Sequence, residues 1–191
     1  MDERILAVLK KLEQVAISGE KFWNVGRETG NFLNIMVQSI RAQTVLEIGT
    51  SNGYSGIWFA EALSHTGGKL YTVESHKERF GLAREHFGEA GVEKFVEQIS
   101  GHAPEVFSQE DFIKRKLRFD LIFLDATKGE YESYLAAVMP LLKTGGLLIA
   151  DNVLSHAGEV AGFLASVQQN PEFRSAVLPM GSGLLYAIKL A

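Results

Sequence analysis

Three clusters of chemistry-capable residues each follow a short apolar run. The run Phe119–Leu124 (FDLIFL) leads into Asp125-Ala126-Thr127-Lys128, and Gly146–Ala150 (GLLIA) leads into Asp151-Asn152. Two carboxylates and an amide oxygen form a hard-oxygen set suited to Mg²⁺, Mn²⁺ or Ca²⁺, with water or substrate completing the shell. No histidine or thiolate joins this set, so zinc does not fit it. A single strand-end aspartate is more often a helix N-cap, and Asp125 could cap a helix beginning near Gly129. Three candidate ligands converging on one rim favour a metal instead. Lys128, three residues beyond Asp125, can share that site and take a proton if its neighbours favour the amine. The bland reading of Lys128 is a solvated surface lysine.

The third cluster, Glu47-Ile48-Gly49-Thr50-Ser51-Asn52-Gly53-Tyr54-Ser55-Gly56, follows the run Thr44–Ile48 (TVLEI) and opens a helix. Glycines let backbone turn tightly and approach a ligand, and the helix start aims free N–H groups at it. Glu74 ends the next run, 25 residues after Gly49, where a carboxylate can accept both hydroxyls of a ribose. The spacing is not the G-x-G-x-x-G of dinucleotide enzymes and lacks the glycine-lysine of a P-loop. The bland alternative is a plain strand-to-helix turn, which the placement of Glu74 disfavours. A nucleotide-type ligand is the expectation.

The elements that must hold these residues alternate. Strand-like runs are Thr44–Ile48, Lys69–Glu74, Phe95–Ser100, Phe119–Leu124 and Gly146–Ala150, several rich in the apolar residues of strands buried on both faces. Helical stretches separate them: Tyr54–Leu63, Lys77–Ala90, Pro104–Lys116 and Tyr131–Leu142, the last ending in a basic turn and a glycine stop at Lys143–Gly146. Such alternation predicts a doubly wound α/β fold on a mostly parallel sheet with right-handed crossovers. Glu3–Ile17 and Glu28–Arg41 add two helices in front, and Ala157–Gln168 a further one behind. Phe173–Leu178 and Leu184–Leu190, joined by Pro179-Met180-Gly181-Ser182-Gly183, predict a closing antiparallel hairpin and hence seven strands.

Composition bounds the rest. A chain of 191 residues, 46% hydrophobic and 22% charged, predicts one globular domain: a helical lid or extension over 1–42 and a core over 43–191. With no cysteine, disulfides, thiolate metal sites and cysteine nucleophiles are excluded. A net charge of −4 sets a nucleic-acid-coated surface behind other readings. No stretch reaches the about 18 apolar residues of a membrane span, and Met1-Asp2-Glu3-Arg4 lacks a secretory pattern; cytoplasmic localisation is expected. The five histidines share no metal-ligand spacing; His65, His76 and His86 are expected on the surface, while His156 could touch a substrate and His102 could lie near a bound base. Lys114–Arg118 is expected to compensate a helix dipole and aid solubility rather than bind phosphate. Phe22-Trp23 is expected to be core.

Taken in order, VLEIGTSNGYSG, LYTVE, FDLIFLDATKGEY, LLKTGGLLIADNVL and GSGLLYAIK resemble the metal-dependent class I O-methyltransferases of the catechol and caffeoyl-CoA type, over roughly Val25 to the C-terminus. That resemblance implies a Rossmann-like fold, S-adenosylmethionine as methyl donor and a divalent metal, most simply Mg²⁺. It puts Glu47, Gly49, Thr50 and Ser55 at the cofactor loop, Glu74 on the ribose, Ala103 by its backbone on the adenine, Val25 at the methionine end, and Asp125 beside the cofactor. Asp125, Asp151 and Asn152 match the metal ligands, and Lys128 the general base. Asp125 and Lys128 are thus the implied catalytic pair.

The sequence departs from the family pattern twice. Thr127 stands where the family often has a second acid, removing a charge but no ligand. The segment between Asn152 and Ala157 is shorter than in the plant enzymes, as is the N-terminal arm, so a CoA-sized acceptor does not follow. A small catechol-like or phenolic acceptor is the leading expectation. Transfer to a tRNA 5-hydroxyuridine is the alternative, and a non-catalytic S-adenosylmethionine-binding module or a nicotinamide dehydrogenase are further ones. A homodimer is possible through the apolar positions of Glu3–Ile17, which could equally form a lid.

Overall fold

In the computed structural model, which describes residues 1–17, 22 and 24–190, the chain forms seven strands and seven α-helices. In chain order these are α1 (Glu3–Ile17), α2 (Arg27–Ser39), β1 (Thr44–Ile48), α3 (Tyr54–Thr66), β2 (Lys69–Glu74), α4 (Lys77–Ala90), β3 (Val96–Ser100) and α5 (Glu110–Lys114). There follow β4 (Phe119–Leu124), α6 (Tyr131–Val138), β5 (Leu142–Ala150), α7 (Ala161–Gln169), β6 (Phe173–Leu178) and β7 (Leu184–Lys189). The sheet order is β3-β2-β1-β4-β5-β7-β6. β1 to β5 pair in parallel, and β7 runs antiparallel to both β5 and β6. The expected doubly wound sheet with its closing hairpin is therefore present.

The central strands bury both faces, and their residues alternate between two cores. Val45, Leu121, Phe123, Leu147 and Ile149 face a layer with α1 to α4. Leu46, Ile48, Ile122, Leu124, Leu148 and Ala150 face a second layer with α5 to α7. This period-2 division is what a sheet sandwiched between helices requires. Burying each such side chain contributes roughly 1.5–3 kcal/mol against chain entropy. Ile5, Val8, Leu9 and Leu12 of α1 are buried in the first layer, so that helix spends its apolar stripe on its own core.

Several element boundaries differ from the sequence expectation for local reasons. The stretch Pro104–Lys116 is not one helix but a 3-10 turn, Glu105–Ser108, then α5, with Gln109 extended between them. Ser108 Oγ donates back to the Glu105 carbonyl at 3.1 Å, offering the backbone an alternative to the helical ladder. The helix expected to reach Leu142 ends at Val138, because Pro140 lies in the next turn and cannot supply an N–H. Lys143 consequently belongs to β5, where its Nζ reaches Asp120 Oδ1 at 2.7 Å instead of compensating a helix end. α7 begins at Ala161, since Val153, Leu154 and Ser155 give their N–H groups to Gly183 and Ser182 of the hairpin turn. The expected surface position of His86 is also corrected: it is buried, with Nδ1 2.8 Å from the Asn52 carbonyl oxygen. Trp23 lies outside the described residues.

Candidate active site

The sheet changes direction between β1 and β4, the place where doubly wound sheets open a crevice at their carboxyl ends. Here the strand ladders run one residue past the strands. Gly49 N donates to Val73 O, Asp125 N to Ile48 O and Asp151 N to Leu124 O, each at 3.0 Å. Gly49, Asp125 and Asp151 are thereby set side by side on one rim. Gly49 has φ +104, and a Cβ there would collide with the Asp125 carbonyl, so glycine is required twice over. A cleft of about 930 Å³ opens above this rim, large enough for a nucleoside-sized ligand with a small second molecule.

At one end of the cleft stands Glu74, nearly buried. Its Oε2 accepts from Ser51 N and its Oε1 from His76 N, both at 2.8 Å. These bonds fix the carboxylate, and each oxygen keeps a further lone pair for a ligand hydroxyl. Ala103 and His102 line the same end, and Phe22, Asn24, Val25 and Gly26, from the segment entering α2, form a wall. His102 connects to Glu105 at 2.7 Å and to Glu130 at 3.1 Å, and these contacts raise its pKa, the Glu105 hydrogen bond foremost.

At the other end are the acids and the lysine. Lys128 Nζ donates to Asp125 Oδ1 at 2.9 Å, both side chains being largely buried. Asp125 caps no helix; α6 starts at Glu130–Tyr131 without a side-chain cap. Burial pushes the Asp125 carboxyl up to about 6; Lys128 opposes that rise and neighbouring Asp151 adds to it. Asp151 Oδ1 accepts from Asn152 N at 2.7 Å and from Ser182 Oγ at 2.5 Å. Asn152 sits at φ +66, a left-handed conformation that asparagine tolerates better than most residues. Below the rim, the Tyr131 hydroxyl lies 3.2 Å from both the Leu124 and Asp151 carbonyl oxygens and shares its one proton between β4 and β5.

Of the residues expected to meet a ligand, Val25, Gly49, Glu74, Ala103, Asp125, Lys128, Asp151 and Asn152 line the cleft. Glu47, Thr50 and Ser55 lie beneath it, buried and joined in one hydrogen-bonded chain through Thr72. Ser55 Oγ donates to Glu47 Oε1 and Thr72 Oγ1 to Glu47 Oε2, each at 2.6 Å. Because the Thr72 proton is so used, Thr50 is the donor in its 2.6 Å contact with Thr72. Burial raises the Glu47 carboxyl to about 7, against the lowering by Ser55 and Thr72. Among the described residues no group of three or more His, Cys, Asp or Glu could hold a metal; the candidate set needs the Asn152 amide. No helix among them is long and apolar enough to cross a membrane.

The O-methyltransferase family profile matches residues 2–190. The chain belongs to that family. It is 33% identical over 149 residues to a catechol O-methyltransferase of Niastella koreensis, covering 78% of this chain and 66% of that one. It is 31% identical over 156 residues to caffeoyl-CoA O-methyltransferase 1 of Eucalyptus globulus, covering 80% and 62%. The matched region thus spans just under two thirds of the length of these relatives. An O-methyltransferase from Bacillus cereus in complex with SAH superposes with a TM-score of 0.84 at 27% identity, covering 99% of this chain and 91% of that one.

In this O-methyltransferase family member, sequence reasoning missed Ser182 and His86. Ser182 belongs to a hairpin turn that reads only as a turn, and nothing in the sequence places it 2.5 Å from Asp151. His86 steadies the glycine loop from α4, and its signal, a histidine on an otherwise amphipathic helix, is too common to stand out. The basic run Lys114–Arg118 ends at the amino end of β4, one strand length of about 20 Å from the Asp125 rim. Lys114 pairs with Glu110 and Arg115 with Glu97, as a solvated surface would have it.

Proposed function

We propose that this chain transfers the methyl group of S-adenosylmethionine to a hydroxyl of a small catechol-like or phenolic acceptor, with a divalent cation at the acid rim. The observation that carries this reading is the pairing of Glu74 at one end of a single cleft with Asp125, Asp151, Asn152 and Lys128 at the other. The same residues carry the sequence resemblance to the family, and the Bacillus cereus relative was solved with SAH. The donor is held by Glu74 at the ribose hydroxyls, Ala103 at the adenine by its backbone, Gly49 and Asp125 beside the loop, and Val25 at the methionine end. Glu47, Thr50 and Ser55 support that loop from below. The chain acts as one unit, with Phe22, Asn24, Val25 and Gly26 of the N-terminal extension supplying a wall of the cleft.

The donor chemistry of the rim fits a hard divalent ion. Asp151 is close enough to oppose the ionisation of Asp125, which a cation at the rim would relieve, and Asn152 adds a neutral oxygen. A cation held by Asp125, Asp151 and Asn152 would supply Lewis-acid polarisation of an acceptor hydroxyl. Lys128 Nζ, beside Asp125, is the group placed to receive the hydroxyl proton. The acceptor oxygen forms its bond to the methyl carbon as the carbon–sulfur bond breaks, leaving SAH. Holding both reactants in one cleft supplies much of the rate. Thr127 leaves two carboxylates at the rim rather than three.

An RNA acceptor draws no support from the charge distribution, because the basic run sits at the opposite edge of the sheet from the rim. The test is transfer of labelled methyl from S-adenosylmethionine to a panel of catechols, with Mg²⁺ and with EDTA in parallel. Labelled product only with metal is the expected result. Full transfer in EDTA removes the metal, and no transfer by protein that binds SAH removes the phenolic acceptor.

A further inference from the structure

Asp151 is held differently from Asp125. Asp125 is steadied by a flexible lysine from its own loop, whereas Asp151 is steadied by a residue 31 positions away in sequence. Ser182 Oγ and Asn152 N both converge on Asp151 Oδ1, and Oδ2 takes no hydrogen bond among the described residues. Two donors on one oxygen fix the rotation of a carboxylate about its last torsion, which is otherwise broad. They leave the second oxygen as the free acceptor of a residue that lines the cleft.

The serine is itself anchored. Its carbonyl accepts from Leu154 N at 3.1 Å and Ser155 N at 3.0 Å, and the next carbonyl, of Gly183, accepts from Val153 N at 3.0 Å. Gly183 lies at φ +90, and a Cβ there would run into Leu154, so the β6–β7 turn and the loop after β5 approach as closely as backbone allows. The hydroxyl therefore comes from an anchored turn on the β7 side of β5, whereas Lys128 follows β4, the neighbour on the other side.

We propose that Ser182 is a positioning residue: the β6–β7 turn, through its hydroxyl, sets the rotation of the Asp151 carboxylate and so presents Oδ2 to a divalent cation. The inference rests on the reading that Asp125, Asp151 and Asn152 hold such an ion. Partners that orient a ligand in this way typically govern metal affinity by about 10- to 100-fold.

The test is equilibrium binding of Mn²⁺ to the full chain without methyl donor or acceptor, read from the electron paramagnetic resonance of the free ion. Ser182→Ala is expected to weaken Mn²⁺ binding by about tenfold or more. Ser182→Thr, which keeps the hydroxyl, is expected to recover most of it. SAH binding, which draws on the Glu74 end of the cleft, serves as the folding control and is expected to hold in both variants. If wild type binds Mn²⁺, Asp151→Ala does not, and Ser182→Ala binds as wild type does, the inference fails while the metal reading stands. Equal weakening in the alanine and threonine variants, with SAH binding intact, overturns it too, since the hydroxyl is then not the cause. If wild type binds no Mn²⁺ although it binds SAH, the metal reading fails and takes the inference with it.

Discussion

Glu47 offers a sharp test of the electrostatics beneath the glycine loop. Its carboxyl is fully enclosed, accepts from Ser55 and Thr72, and has no cation partner among the described residues, so burial lifts it from an ordinary 4.5 to about 7. A carboxyl with a raised folded-state pKa binds more protons folded than unfolded between those two values. Stability is then fullest below the unfolded pKa and falls as pH rises toward the folded one. From pH 5 to pH 7.5 the Glu47 contribution declines by about 2 kcal/mol, and that of Asp125, lifted to about 6, by about 1 kcal/mol. Glu47→Gln keeps the shape and cannot ionise: its Oε1 accepts from Thr72, and its amide donates to Ser55 Oγ. Urea unfolding at the two pH values is expected to show wild type losing about 2 kcal/mol more than the variant, with equal m-values. Equal losses in both proteins would refute the claim that Glu47 is a buried, unpaired acid.

Three further outcomes test the cleft itself. Asp125→Ala and Asp151→Ala are each expected to abolish Mg²⁺-supported methyl transfer while leaving the thermal midpoint near that of wild type; activity preserved in both removes the metal assignment. Glu74→Ala should weaken SAH binding by at least about 10- to 100-fold, the worth of one hydrogen bond to a charged group, and an unchanged calorimetric isotherm rejects the ribose role. Lys128→Met should slow single-turnover transfer by about 100-fold or more at saturating donor, the usual range of a positioned base. It also strips Asp125 of its ion-pair partner, so the residual activity should need a higher pH than that of wild type. A Lys128→Met rate within a few-fold of wild type removes the base.

The rim was legible because each of its acids directly follows an apolar run, and a run that becomes a central strand must end at the sheet edge. Asp125 and Asp151 thus came with their positions attached, and Glu74 with them. Glu47 shows how far adjacency misleads. It stands two residues before Gly49, yet strand alternation sends its side chain to the Val45 face, toward α3, and not up into the cleft. That alternation was readable from TVLEI. Ser182 was not readable in the same way, since its role depends on how closely a hairpin turn approaches a loop. Pro140 and the back-bonding Ser108 ended helices earlier than their apolar periodicity suggested, because one backbone N–H or one hydroxyl outweighs a pattern. His86 was misplaced because an α4 position reads as surface until the glycine loop folds over it.

β7 is synthesised after β6 but lies between β6 and β5. While the chain is being made, β5 is therefore an open sheet margin, with Leu147, Leu148 and Ile149 along it and their partners about forty residues downstream. Such a margin is prone to pair with another nascent chain, and closing it requires a contact of long sequence separation, which is slow. The same late event brings Ser182 to Asp151. Maturation of the cleft and protection from aggregation are thus one step, and a variant that delays the hairpin should accumulate in inclusion bodies rather than as soluble, inactive protein.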